Sequence, residues 1–164
     1  VPVSGHICGK WARDFAAGGN EFMSLFGDHL PSFQRFQLNG NFPFDAASLK
    51  SAIEKYQQLG AKFILQVGLG GLQSWHEIPG VEFLFDISGG RGTSPSEWPS
   101  FATDNFGYAG GHSPNNITER FGILSEKVSG TTWVDVESGV RTSDVFDLVK
   151  VADFLRLSEP YASW

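Results

Sequence analysis

Six short apolar segments, each followed by a glycine-containing loop or turn, recur along this chain of 164 residues. Their midpoints lie about 20 to 31 residues apart, the length of one strand, one helix and their loops. Successive strand–helix units without an intervening hairpin predict a parallel sheet covered by helices. We therefore expect an α/β fold with strands at residues 3–8, 33–38, 62–67, 83–85, 106–109 and 132–136.

Helices are expected between these strands, where apolar residues recur at intervals of three or four. The clearest one covers residues 46–59, because Asp45 is a good N-cap and Gly60 a good C-terminal stop. By the same argument, Asp144 is expected to cap a last helix over residues 145–157. Further helices are predicted at residues 21–30, 72–77 and 95–101, and from 114–116 onward.

Composition narrows the class of protein. The length predicts one domain over residues 1–164, and fifteen Phe with five Trp predict a core rich in aromatic rings. A net charge of −6 argues against a nucleic-acid partner, and no apolar run approaches the length of a membrane span. A single cysteine excludes an internal disulfide and favours a reducing compartment, the cytoplasm. Since His6 and His112 stand alone in the sequence, we expect no metal and no cofactor.

The stretch after the fourth predicted strand has the features of a ligand site. Asp86 follows three apolar residues, and three glycines then occupy four successive positions, 89–92. Ligands collect at the carboxyl ends of parallel strands, where glycines let backbone N–H groups approach an anion. Asp86 is thus a candidate catalytic carboxylate, although it is equally suited to cap a tight turn.

Glycines at the strand ends favour a TIM-type (β/α) barrel over a doubly wound sheet. Such a barrel needs eight units and typically about 200 residues or more, so this chain is two units short. An open parallel sheet exposes the backbone groups of its outer strands. We expect upstream residues, a homodimer or an unusual closure to complete the barrel. The start at Val1 rather than Met favours a truncated gene or a fragment, for which a homodimer is the expected state.

Four motifs follow one another at strand–helix spacing. They are Gln-Leu-Asn-Gly at 37–40, Asp with Gly-Gly-x-Gly at 86–92, Ala-Gly-Gly with a later Pro-x-Asn at 109–116, and Asp-Val-x-Ser-Gly-Val at 135–140. Together they resemble motifs of the phosphoribosylanthranilate isomerase family, which are (β/α)8-barrel enzymes of tryptophan biosynthesis. The family has His at the position of Asn39. The resemblance implies that the chain contains the equivalents of strands three to eight.

The resemblance also implies roles for individual residues. Asp86 would be the general acid that protonates the ribose ring oxygen in an Amadori isomerisation. Backbone N–H groups at Gly110, Gly111, Ser138 and Gly139 would bind the phosphate of a small ligand. The alternative for these four positions is a purely structural role, in which they only form tight turns of the barrel.

Cys8, Gln37 and Arg91 are further candidates. Cys8 lies within Ile-Cys-Gly, the sequence that carries the family's general base at the end of the first strand. Here, however, Cys8 stands only about 30 residues before the Gln-Leu motif, so it occupies the position where the third strand of the family should end. Its alternative is a small buried apolar side chain. Gln37 is expected to bind substrate or to bridge buried groups, and Arg91 to pair with a phosphate or a carboxylate.

Two functions of different classes remain open at this point. One is an isomerase of the phosphoribosylanthranilate type, and the other is a non-catalytic barrel that binds a phosphorylated ligand. The unit that would carry the family's arginine for the anthranilate ring is missing, so the resemblance assigns no residue to that task. A base opposite Asp86 would favour the enzyme.

Overall fold

The computed structural model describes residues 3–40, 45–68, 78–88, 91–100 and 106–162. The chain divides into two compact units, Val1–Leu84 and Phe85–Trp164. Among the described residues, no helix has the length and apolar character needed to cross a bilayer.

The first unit alternates strands and helices. Its strands β1 and β2 pair in parallel, as do β2 and β3, so the predicted parallel sheet is confirmed here. The last residue of β4, Phe85, already belongs to the second unit. The elements are β1 (Ser4–Ile7), α1 (Gly9–Ala16), α2 (Glu21–Phe26), a 3₁₀ helix (Gly27–Ser32), β2 (Arg35–Leu38), α3 (Ala46–Gln57), β3 (Phe63–Val67) and β4 (Val81–Phe85).

Aromatic rings fill the core of the first unit, as the composition predicts. Phe15, Phe22, Phe36, Tyr56 and Phe63 are all buried. Their centroids lie between 4.7 and 6.3 Å apart, most in edge-on or tilted contact. Rings at these distances attract each other beyond the area that they bury. The core therefore fixes α1, α2 and α3 against β2 and β3.

The second unit begins at Phe85, the last residue of β4, and continues into the loop that follows this strand. Its strands β5 and β6 pair in parallel, with Ala109 beside Asp135 at their carboxyl ends. Ile117, Val140 and Phe154 form a buried cluster beneath the helices. The elements are β5 (Phe106–Ala109), α4 (Ile117–Lys127), β6 (Thr132–Asp135), a 3₁₀ helix (Ser138–Val140), β7 (Arg141–Thr142), β8 (Val145–Phe146), α5 (Leu148–Ser158) and a 3₁₀ helix (Glu159–Tyr161).

The strands of the main sheet, β1 to β6, follow one another in chain order. All six predicted strands are present, with ends shifted by at most three residues. Asp45 caps α3 as expected, since its Oδ2 accepts the Ser48 N–H at 2.7 Å. Hydrogen bonds with the side chain and the backbone of Ser48 lower the pKa of the Asp45 carboxyl. The chain order agrees with a sheet built from repeated strand–helix units.

Several helix predictions were wrong or incomplete. Helix α1 was not predicted, and the helix expected at 21–30 stops at Phe26 and continues as a 3₁₀ helix containing Pro31. Proline cannot donate the backbone hydrogen bond that a longer α-helix needs. Residues 95–100 form no helix, and the predicted helix at 72–77 lies outside the described residues.

The last helix begins later than predicted, and Asp144 does not cap it. Residues 141–146 form a small antiparallel hairpin, with Ser143 and Asp144 at its tip in the left-handed region. Helix α5 starts at Leu148, and its cap is Asp147, whose Oδ1 accepts the N–H groups of Val149 and Lys150. A hairpin therefore interrupts the strand–helix pattern after the sixth strand.

The substitution Asp147→Ala should lower the midpoint of thermal unfolding by a few degrees, because two N–H groups at the start of α5 and the Thr142 hydroxyl lose their acceptor. The matched control is Asp144→Gly, which suits a positive φ and leaves the cap intact. Differential scanning calorimetry checks the prediction, and an equal loss in both variants would contradict it.

Candidate functional site

Three loops of the second unit meet where strands β4, β5 and β6 end. We call residues 91–95, 110–113 and 138–139 the loop cluster. Gly92 packs against the Ser138 side chain, and Gly111 packs against the Ser94 side chain. A Cβ on Gly139 would overlap with the carbonyl group of His112. The segments that carry the predicted phosphate-binding residues are therefore in mutual contact.

Two glycines at the end of β5 have a backbone geometry that other residues rarely adopt. Gly110 has φ +116° and Gly111 has φ +68°. A Cβ on Gly110 would stand 2.9 Å from the Thr93 carbonyl oxygen, and one on Gly111 would stand 3.0 Å from the Gly92 carbonyl oxygen. Both conformation and space thus require glycine. The turn explanation offered in the sequence analysis accounts for these two residues without a ligand.

Asp86 lies at the start of the loop after β4 and is 8% exposed. Its Oδ1 accepts the backbone N–H of Ser88 at 2.8 Å and lies 3.9 Å from the point that a Cβ on Gly110 would occupy. The carboxylate therefore stands beside the glycine turn that ends β5. Both the catalytic role and the turn-bracing role predicted for this residue are compatible with that position.

Polar side chains fix the backbone around the glycines. Asn116, the last residue of the 109–116 motif, donates from Nδ2 to the Gly111 carbonyl at 2.8 Å and accepts the Ser113 N–H at 2.9 Å. Arg91 is exposed, and its Nε donates to the Ser88 carbonyl at 3.1 Å. This backbone contact was not among the partners predicted for Arg91.

A cluster of rings that was not predicted from the sequence lies directly behind the loop cluster. The imidazole of His112 stacks on the indole of Trp98 with 5.1 Å between centroids and 11° between planes. Its Nε2 lies 3.2 Å from the Tyr108 carbonyl oxygen, and the Arg120 guanidinium lies 5.8 Å from the Trp98 ring centre. Burial, opposed by the hydrogen bond to Tyr108 and reinforced by the charge of Arg120, lowers the pKa of His112 to about 4. The one sequence signal for this ring cluster is the position of His112 immediately after Gly110 and Gly111.

Cys8 and Gln37 lie in the first unit, at the carboxyl ends of β1 and β2. The Cys8 thiol is exposed, so the alternative of a buried apolar cysteine was wrong. Cys8 precedes α1 and does not cap it with a hydrogen bond. Gln37 is half-buried and donates from Nε2 to Asn39 Oδ1 at 2.9 Å. Within the described part of the chain, no three His, Cys, Asp or Glu side chains are grouped as a metal site would require.

Comparison with known proteins links the chain to one enzyme family. The family model described as N-(5'-phosphoribosyl)anthranilate (PRA) isomerase matches residues 32–156. A search of curated proteins finds no match. The matched region contains all four motifs and both Asp86 and the loop cluster, but it leaves Cys8 outside.

Two solved structures show the same fold. The N-(5'-phosphoribosyl)anthranilate isomerase from Pyrococcus furiosus is 15% identical, with a TM-score of 0.52 over 86% of this chain and 68% of its own. The phosphoribosyl anthranilate isomerase from Thermotoga maritima is 13% identical, with a TM-score of 0.53 over 96% of this chain and 72% of its own. The predicted TIM-type (β/α) barrel with six strands is therefore confirmed.

Proposed function

Because the chain belongs to the N-(5'-phosphoribosyl)anthranilate isomerase family, we propose that it isomerises a phosphorylated aminoaldose to the corresponding aminoketose. The proposed substrate is phosphoribosylanthranilate, and the reaction is an Amadori rearrangement. The observation that carries the proposal is the loop cluster: three loops that bear the family motifs touch one another, with the Asp86 carboxylate beside them.

Asp86 is the proposed general acid. It donates a proton to the ribose ring oxygen as the bond from that oxygen to C1 breaks, and the sugar opens to a protonated imine. A base then removes the proton from C2, which gives a neutral enaminol. The enaminol becomes the ketose when C1 gains a proton and the 2-hydroxyl loses one, so that the proton count is unchanged over the cycle. General acid–base catalysis of this kind typically contributes about 10² to 10⁴ in rate.

The phosphate is proposed to bind at Gly110, Gly111, Ser138 and Gly139. Support comes from the positive φ of the two glycines after β5, and from the contacts that hold their loop against the neighbouring loops. Bare backbone N–H groups bind an anion closely without the long side chains that a charged pocket needs. The net charge of −6 makes such local binding groups necessary for an anionic substrate.

Cys8, Gln37 and Arg91 are proposed for the remaining tasks. The exposed thiol of Cys8 is the candidate general base, and its accessibility supports that role. Gln37 is proposed to bind the sugar hydroxyls, and Arg91 the carboxylate or phosphate of the substrate, since its terminal guanidinium nitrogens suit either anion. Comparing turnover of Cys8→Ser and Cys8→Ala with wild type tests the base.

A second function is favoured by one contact. The bond from Ser88 N–H to Asp86 Oδ1 is that of a turn-bracing carboxylate, which a binding protein without catalysis would also need. The alternative is therefore a barrel that binds a phosphorylated ligand and does not turn it over.

The deciding experiment is a titration calorimetry series with reduced 1-(2-carboxyphenylamino)-1-deoxyribulose 5-phosphate, a non-reacting analogue of the ketose product, and with inorganic phosphate as the control ligand. Micromolar binding of the analogue, far tighter than phosphate, together with turnover of phosphoribosylanthranilate, supports the isomerase. Equal weak binding of both ligands without turnover supports the binding protein instead.

We also propose a homodimer in the cytoplasm. The apolar side chains of Val145, Phe146, Leu148 and Val149 are 59–73% exposed, and a second copy of this chain would bury them. The unpaired thiol of Cys8 is compatible with a reducing compartment. A strictly monomeric species in light scattering at micromolar concentration would rule out the dimer.

A further inference from the structure

We propose that His112 is a positioning residue for phosphate binding, which holds the Gly110-Gly111 turn through its contacts with Trp98 and Tyr108. The inference rests on the proposed function in one respect only, namely that this turn binds phosphate. Neither the family motifs nor the likeness to solved isomerases assigns a role to His112, Trp98 or Arg120.

The direction of the His112 side chain is the first observation. The backbone of His112 belongs to the loop cluster, whereas its imidazole is turned inward and is only 2% exposed. The ring lies nearly parallel to the indole of Trp98, which is itself 3% exposed. The loop after β5 is thus fastened by a side chain that follows directly after the two glycines.

The hydrogen bond of His112 is the second observation. Because the Tyr108 carbonyl oxygen only accepts, the 3.2 Å contact requires the proton on Nε2 of a neutral ring. Tyr108 lies in β5, two residues before Gly110, so the bond closes a short loop of backbone around both glycines. An apolar ring would fill the same space without the cost of desolvating an imidazole, but it would not fix the direction of that backbone.

The connection to the neighbouring loops is the third observation. The His112 carbonyl group is the one against which Gly139 packs, so the loop after β6 rests on the same residue. On the other side, Arg120 donates from Nη2 to Ser94 Oγ at 3.1 Å, and Ser94 packs against Gly111. Trp98 lies between these two contacts, since both the imidazole and the guanidinium lie near its ring. Displacement of His112 would therefore shift the backbone at both Gly111 and Gly139.

Two substitutions separate the hydrogen bond from the packing. His112→Phe keeps a planar ring of similar size on Trp98 but loses the donor, whereas His112→Gln retains an N–H that can reach the Tyr108 carbonyl. The control Leu124→Ala removes a buried side chain of α4 outside the loop cluster and lowers stability. Trp98→Phe serves as the second variant if His112→Phe does not fold.

Two measurements at pH 8 decide the matter: the phosphate affinity from titration calorimetry, and the hydrogen-exchange rates of the Gly110 and Gly111 amides. We expect His112→Phe to weaken phosphate binding about tenfold, the loss of one buried hydrogen bond, and to speed exchange at both glycines. His112→Gln should recover most of both losses, and Leu124→Ala should leave the phosphate affinity at the wild-type value.

Wild-type phosphate affinity and wild-type exchange in His112→Phe would overturn the inference, as would equal losses in Leu124→Ala. If wild-type protein binds neither phosphate nor the ketose analogue, the proposed function fails, and the exchange rates alone then decide whether His112 holds the turn. Faster exchange in His112→Phe with recovery in His112→Gln would support the positioning role, and unchanged exchange would reject it.

Discussion

The substitution Asp86→Asn should lower kcat for isomerisation by about 10² to 10⁴ and leave the affinity for the ketose analogue nearly unchanged. Asparagine retains the Oδ1 that accepts the Ser88 N–H at 2.8 Å, so the loop after β4 keeps its turn. The amide carries no proton that it can give up to the ribose ring oxygen. The loss is therefore expected in turnover, measured by steady-state kinetics, and not in binding.

A carboxylate in a different position provides the control. Asp135 ends β6 and is assigned no part in the proposed proton transfers, so Asp135→Asn should retain most of the turnover. If Asp86→Asn turned over substrate at the wild-type rate, Asp86 would only brace its loop. Loss of analogue binding in the same variant would show that the carboxylate binds substrate and would leave its acid role without support.

Acidification from pH 7 to pH 4 should cost about 3 kcal/mol of unfolding free energy through His112 alone. Burial lowers the pKa of His112 from 6.5 to about 4 in the folded chain, whereas the unfolded chain binds the proton near pH 6.5. Between these two values the unfolded state binds more protons, so stability falls as the pH falls. The contribution is fully present above about pH 7, and its loss is complete below the folded pKa.

Urea unfolding at intervals between pH 4.5 and pH 7.5 measures this slope. The variant His112→Phe removes the titrating group, so its stability should change much less over the same interval. Asp45 and Asp147 also have lowered pKa values, through their hydrogen bonds, but their stability contributions are lost at lower pH, below the ordinary aspartate pKa of 3.8. Equal slopes in both proteins would contradict the prediction.

The strands and the α3 cap were predictable because local signals determine them. Buried parallel strands are apolar on both faces. An Asp before a stretch with helical apolar periodicity is a preferred N-cap, because its carboxylate accepts the free backbone N–H groups of the first turn. The start of α5 was not predictable from such signals. Asp144 and Asp147 are equally good caps in the sequence, and the choice depends on a hairpin whose tip, Ser143 and Asp144, lacks the Gly or Asn that usually marks a positive φ.

The candidate site was only partly predictable for a similar reason. Its glycines and Asp86 lie within short motifs, so they could be predicted as site residues from the local sequence alone. The cluster of His112, Trp98 and Arg120 is assembled from three separate segments, and no local pattern connects a histidine with a tryptophan fourteen residues earlier. Such contacts depend on how the loop after β4 folds back toward β5, which hydrophobic periodicity does not encode.

The contacts of the glycines within the loop cluster also restrict how this chain can evolve. A methyl group added at Gly139 meets the backbone of another loop, at His112, and one added at Gly110 meets the carbonyl of Thr93. A change in one loop is then tolerated only together with a compensating change in another. The three loops should therefore accumulate substitutions jointly, and grafting one of them alone from a distant relative would fail where exchange of all three succeeds.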